Sequence, residues 1–149
     1  MEENTVVSEA KQYIVVKLDG EQYGIDITFI DNIVRMQQVT RVPKAQHFFE
    51  GVINLRGEII PVMNLRLKFD LEPKEHTNAT RIIIVKPENN AKIGILVDEV
   101  REVVTLEEED IEKVVHDEQG MNLLGVGKYK ETLISLLNIQ GIIQELDNV

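Results

Sequence analysis

The stretch Gly51-Val-Ile-Asn-Leu-Arg-Gly-Glu-Ile-Ile-Pro-Val-Met-Asn-Leu65 sets two apolar β runs on either side of a polar Arg56-Gly57 corner. That is the pattern of a β-hairpin. On the outgoing run Ile59, Met63 and Leu65 fall on one side of the pleat and Ile60 and Val62 on the other, so both sides are apolar. A sheet with one face in water would alternate apolar and polar residues. One side of this hairpin is therefore expected to fill a core, and the other to meet a second layer or a second protein.

The hairpin has a twin. A shift of 74 positions, which carries Asn64 to Asn138, lays Gly125 to Ile139 on Gly51 to Leu65 without a gap. Gly51 meets Gly125, Val52 meets Val126, and the pairs Ile59 with Leu133, Ile60 with Ile134, Val62 with Leu136 and Met63 with Leu137 keep the apolar register on both faces. Upstream, at a slightly different offset, Gly24-Ile25 matches Gly94-Ile95, while Ile30, Ile33 and Val34 match Val100, Val103 and Val104. Self-similarity of this kind reads as an internal duplication.

At 149 residues and 43% hydrophobic content the chain is one domain or two very small ones, with enough apolar mass for a core. Aromatic residues make up only 5% and Trp is absent, so the core must be Ile, Val and Leu, which favours strands. The absence of Cys excludes a disulfide scaffold, a thiol nucleophile and Cys-based metal sites, and suits a reducing cytoplasm. No run approaches the roughly 18 apolar residues of a membrane span, and the polar start Met1 to Ser8 is not a signal peptide. A formal charge of −10 repels phosphate backbones and anionic headgroups, so nucleic acid is not expected as a partner, nor is membrane insertion.

Along the chain, Met1 to Lys11 reads as a frayed polar start. Gln12 to Leu18 reads as a strand closed by Asp19-Gly20, and Tyr23-Gly24-Ile25 returns. Asp26 is a good N-cap for a helical turn through Ile27, Phe29, Ile30, Ile33 and Val34, whose spacing predicts one buried stripe; Asp98 to Val104 repeats it. Met36 to Val42 looks extended, and Lys44 to Glu50 is a turn. Asp70 to Thr80 is the expected junction, Ile82 to Val85 a strand ended by Pro87-Glu88-Asn89-Asn90, Ile111 to Val115 a brief extended run and Asp117 to Asn122 a polar loop. Asn138 caps a terminal helix, Ile139 to Leu146. The expected class is all-β, two small five-stranded SH3/OB-like barrels over residues 12–75 and 79–149, with terminal strands free to cross between them.

Catalytic constellations are missing from the pattern. Gly125-Val126-Gly127-Lys128 has the wrong spacing for a phosphate loop. His47, His76 and His116 each stand in a polar connection, and Glu107-Glu108-Glu109-Asp110 lacks the Gly and the alternation of a calcium loop. The Asn78-Ala79-Thr80 sequon has no role in a cytoplasmic chain. No metal and no cofactor are expected; an enzyme using convergent His and acid side chains is the rival class. Arg56 carries two readings: a solvated corner before a Gly with positive φ, or a donor fork that orients a partner through carboxylates or carbonyls. Pro61 cannot donate to a ladder, so its strand lies at an edge or a bulge, where other proteins dock.

The hairpin words, with Tyr23-Gly24-Ile25-Asp26-Ile27 upstream and Ile93-Gly94-Ile95-Leu96-Val97-Asp98 downstream, closely resemble the CheW family of bacterial chemotaxis coupling proteins over roughly Gln12 to Leu146. The resemblance implies paired barrels around a shared apolar layer and no catalysis. It also implies a cytoplasmic adaptor, recruited to membrane-associated arrays, that bridges the tips of methyl-accepting receptors to the C-terminal regulatory domain of the histidine kinase CheA. By position, Ile30 and Arg56 match places the family associates with receptor contact. Asn32 stands where many relatives have Glu, and Asp31 beside it supplies the missing charge. The implied receptor set is thus Ile30, Asp31, Asn32, Arg56 and Gly57, and the implied kinase set Val42, Pro43, Phe48 and Gly51. An adaptor of a non-flagellar array, serving twitching or gene expression, fits the same residues.

Overall fold

β-Branched runs and two-residue corners dominate the described part of the chain, and strands follow from them. The computed structural model describes residues 10–87, 91–114 and 122–147. In order these hold β1 (Lys11–Leu18), β2 (Glu21–Asp26), β3 (Ile30–Arg35), β4 (Phe49–Leu55), β5 (Glu58–Asn64), α1 (Leu65–Lys68), β6 (Arg81–Val85), β7 (Ile93–Val97), β8 (Glu99–Leu106), β9 (Ile111–Lys113), β10 (Leu123–Tyr129), β11 (Thr132–Leu137) and α2 (Ile139–Asp147). Residues 1–9 of the expected polar start, most of the turn after Pro87 and residues 117–121 of the expected loop lie outside the described residues, and Lys11, read as part of the frayed start, already belongs to β1.

The strands form two sheets, one ordered β8-β1-β2-β11-β10-β9 and the other β3-β6-β7-β5-β4. Each takes its leading hairpin from one half of the sequence and its remaining strands from the other. The junctions are parallel pairings, Leu136 beside Gly24 in the first sheet and Val62 beside Gly94 in the second. A Cβ on Gly24 would stand 2.9 Å from Leu136 and one on Gly94 2.8 Å from Ile82, so the matched glycines both sit where inner side chains pack too closely for a Cβ. The fold is all-β, with one difference from the expected five strands per unit. β9 adds a sixth strand to the first sheet through Val126 opposite Glu112, whereas its counterpart in the second is a single bridge, Thr40 opposite Val52.

Three apolar layers explain the two-sided hairpins. Ile53, Ile60, Val62, Ile82, Ile84 and Leu96 fill the second sheet, and Tyr13, Val15, Val104, Leu106, Ile134 and Leu136 fill the first. Between the sheets lies the third and largest cluster, where Val16, Leu18 and Ile25 meet Met63, Ile83, Val85 and Ile95, closed by Ile139, Ile142 and Ile143 of α2. Alternate residues of one strand thus serve different cores, which is why neither face of β6 or β7 could be polar. Asn138 caps α2 as expected, its Oδ1 accepting from the Gly141 amide at 3.0 Å. Its twin Asn64 caps α1 in the same way, accepting from Arg66 at 2.9 Å.

The helical reading after Asp26 is corrected. Asp26 does cap, accepting from the Thr28 amide at 2.9 Å, yet only Ile27–Phe29 form a 3-10 turn, and the chain continues as strand. Between Ile30 and Asn32 the register slips by a bulge at Asp31. One extra residue resets the alternation, so Ile30 and Ile33 both face the central layer although they are three apart. Helical spacing was mimicked by a bulged strand. β8 repeats the slip opposite Val15 and Val16, at Arg101.

Both hairpins turn through two residues of positive φ: Arg56 at 55° and Gly57 at 84°, Lys130 at 48° and Glu131 at 69°. Mirror-image turns of this kind match strand twist, and a residue with a Cβ is strained in them. Glu131→Gly is expected to raise stability by about 1 kcal/mol, read as a higher urea midpoint at unchanged slope.

Candidate functional site

The corner of the β4–β5 hairpin is pinned from within: Asn54 Oδ1 accepts from the Gly57 amide at 2.9 Å. Arg56 therefore stands on a rigid turn, exposed, and its guanidinium makes no hydrogen bond or ion pair among the described residues. Beside it, Lys92 Nζ lies 3.3 Å from Glu58 of β5 and 3.4 Å from Asp31 of β3. The hydrogen bond to Glu58, and next that to Asp31, raises the pKa of this ammonium. Lys92 thus ties the β3 bulge to the strand leaving the Arg56-Gly57 corner. Ile30 and Asn32 flank the bulge half-buried, Ile30 against the central layer and Asn32 with Oδ1 accepting from the Ile33 amide at 2.9 Å.

Val42, Pro43, Phe48 and Gly51 occupy different depths. Val42 is 46% exposed and shares an apolar cleft of about 220 Å³ with Phe49, Gly51, Val52 and Pro61. Pro43 is exposed next to it. Gly51 is the buried base of that cleft, at φ 142° under the Thr40 carbonyl. Phe48 is only 7% exposed; it belongs to the central cluster and carries Lys68 Nζ 4.7 Å above its ring.

Two paired cations, at opposite ends of β7, escaped the sequence reading. Arg66 is 5% exposed, although it stands at a polar position of the alternating stretch Met63 to Phe69. Its guanidinium donates to Asp19 Oδ1 at 2.6 Å, to Asp98 Oδ2 at 3.4 Å and to the Glu72 carbonyl at 3.1 Å. That joins the β1–β2 turn, the end of β7 and the segment after α1. No local signal set Arg66 apart from Lys68 in the same alternation, and its acids lie 47 and 32 residues away. Lys92 gave no signal at all.

The remaining candidates stay apart. His47 lies 4.0 Å from Asp70 on the surface, His76 lines a small recess with Arg66 and Asp98, and His116 lies outside the described residues. Among the described residues no group of three His, Cys, Asp or Glu could hold a metal. Gly125 to Lys128 run inside β10, and Glu107 to Asp110 close a capped 3-10 turn. No helix among the described residues is long and apolar enough to cross a membrane.

A model of the CheW-like domain matches residues 12–147. The chain belongs to the CheW-like family. It is 34% identical to the chemotaxis protein CheW of Thermotoga maritima over 95% of each chain. It is 32% identical to that of Helicobacter pylori over 92% of this chain and 84% of the relative. The crystal structure of the scaffolding protein TtCheW from Thermoanaerobacter tengcongensis superimposes with a TM-score of 0.78 at 33% identity, covering 86% of this chain and 88% of that one. CheW-like chains are non-enzymatic chemotaxis adaptors, and this member is one. A scaffold needs held surfaces rather than reactive groups, and pinned corners and clefts between rigid strands are what this CheW-like chain carries.

Proposed function

We propose that this chain couples methyl-accepting chemotaxis receptors to the histidine kinase CheA, in the cytoplasm and within membrane-associated arrays. The observation that carries this reading is the unpaired Arg56 guanidinium on a turn locked by Asn54, next to the Asp31–Lys92–Glu58 set. A receptor tip docks on Ile30, Asp31, Asn32, Arg56 and Gly57, with Arg56 donating to carboxylates or helix carbonyls and the bulge supplying the opposite charge. The kinase regulatory domain takes the apolar cleft at Val42 and Pro43, whose shape is held from beneath by Gly51 and Phe48. Two separate faces on one chain let it hold both partners at once, the receptor face mainly through charge and hydrogen bonds and the kinase face through apolar contact.

With the protein as bait, a histidine kinase and a methyl-accepting receptor should be captured together. Arg56→Ala is expected to weaken receptor capture about tenfold while moving the melting temperature by less than about 2 °C, since the side chain touches nothing inside the fold. Full receptor capture by the variant would remove Arg56 from the interface, and capture of neither partner by the parent chain would end the reading.

A further inference from the structure

At the open end of the six-stranded sheet lies a pocket of about 420 Å³ that shares no lining residue with either docking face. Its volume is in the range that holds small ligands, roughly 300–1,000 Å³. The apolar part of its lining is Ile111, Leu124 and Leu136. Tyr13 also lines it; the residue is 4% exposed, and its hydroxyl makes no hydrogen bond among the described residues. Burial, and next the Asp26 carboxylate, raises the pKa of this phenol, so it remains a proton donor at neutral pH. A phenol that lines the pocket and makes no hydrogen bond within the described residues is free to donate to whatever enters it.

The charged lining agrees. Lys11 and Lys113 come from β1 and β9, and Glu108 from the 3-10 turn before β9. No ion pair or side-chain hydrogen bond occupies any of the three among the described residues, although both signs border one space. Two lysines lining one pocket stand out on a chain of net charge −10. A divalent cation would be repelled by the lysines and find one carboxylate where it needs several oxygens. A fatty acid would satisfy the lysines and the apolar wall but leave Glu108 without a counter-charge.

We propose that this pocket binds a small zwitterion with a branched apolar side chain, an α-amino acid of leucine size. Its carboxylate accepts from Lys11, Lys113 and the Tyr13 hydroxyl, its ammonium faces Glu108, and its side chain packs on Ile111, Leu124 and Leu136. Charge-assisted bonds to exposed lysines are moderate, so the site is a low-affinity one.

The test is a titration of the isotope-labelled full chain with L-leucine, followed by amide shifts, with isocaproate and isoamylamine as probes that each lack one charge. Expected are saturable shifts confined to residues around the pocket, with Kd of about 1 mM. Binding should weaken about fivefold for isocaproate and about tenfold for isoamylamine. Tyr13→Phe keeps the ring and removes only the donor, and Lys113→Gln removes one exposed charge; each should weaken leucine binding about fivefold at unchanged melting temperature. Absence of saturation with leucine at about 20 mM, equal affinity for all three probes, or unchanged affinity in both variants would overturn the assignment. No receptor or kinase enters the titration, so its failure leaves the adaptor reading untouched.

Discussion

Arg66→Ala is expected to lower the unfolding free energy by about 3 kcal/mol, because removing one partner of a buried ion set leaves the others desolvated and unpaired. The Asp98 side chain is 13% exposed, so it has little water to turn to when the guanidinium is gone. Lys74, 3.8 Å from Asp98, recovers part of the loss. For a chain of this size the melting temperature should fall by about 10 °C. Asp19→Asn should be much milder, about 1 kcal/mol, since that carboxylate is 53% exposed on its side chain and screened by solvent. Thermal and urea denaturation of the two variants give the order directly; equal losses would mean that the contact with Asp19, rather than the pairing with the more buried Asp98, carries the effect.

Gly51→Ala should cost a similar amount, about 3 kcal/mol, from two sources that add. At φ 142° an L side chain is strained, and the new Cβ would overlap the Thr40 carbonyl oxygen, which is held by reciprocal hydrogen bonds of 2.8 Å with Val52. The crossing segment would have to lift away, opening the cleft beside Val42. Two related substitutions separate the sources. Gly125→Ala meets the Glu112 carbonyl at 2.6 Å without a positive φ, so it reports the clash alone. Gly57→Ala, at φ 84° with open space around it, reports the strain alone, about 1 kcal/mol. The expected order in denaturation midpoints is Gly51 most damaging, then Gly125, then Gly57; a Gly57 variant as unstable as the Gly51 variant would contradict it.

Much of the strand content was legible because period and punctuation are local. The Arg56-Gly57 corner, its twin at Lys130-Glu131 and the cap at Asn138 each depend on residues a few positions apart. The stripe after Asp26 was misread because a bulge and a helix both place apolar residues three apart, and only the partner strand β6 distinguishes them. Arg66 and Lys92 went unnoticed for a related reason: their partners come from other segments, and a cation's value depends on which acids arrive beside it.

The sequence by itself determined that the chain would form hairpins in duplicate, with apolar residues on both faces, since these properties are written in alternation, turn chemistry and composition. Tertiary structure alone decided which hairpin joins which sheet. The exchange, β1 and β2 joining β8 to β11 while β6 and β7 join β3 to β5, rests on parallel pairings between segments far apart in the chain. Two copies of one apolar pattern fit either partner equally well on local grounds. The choice is made where the central layer, α2 and the Arg66 set close together, and that is an energy of the whole assembly rather than of any one stretch.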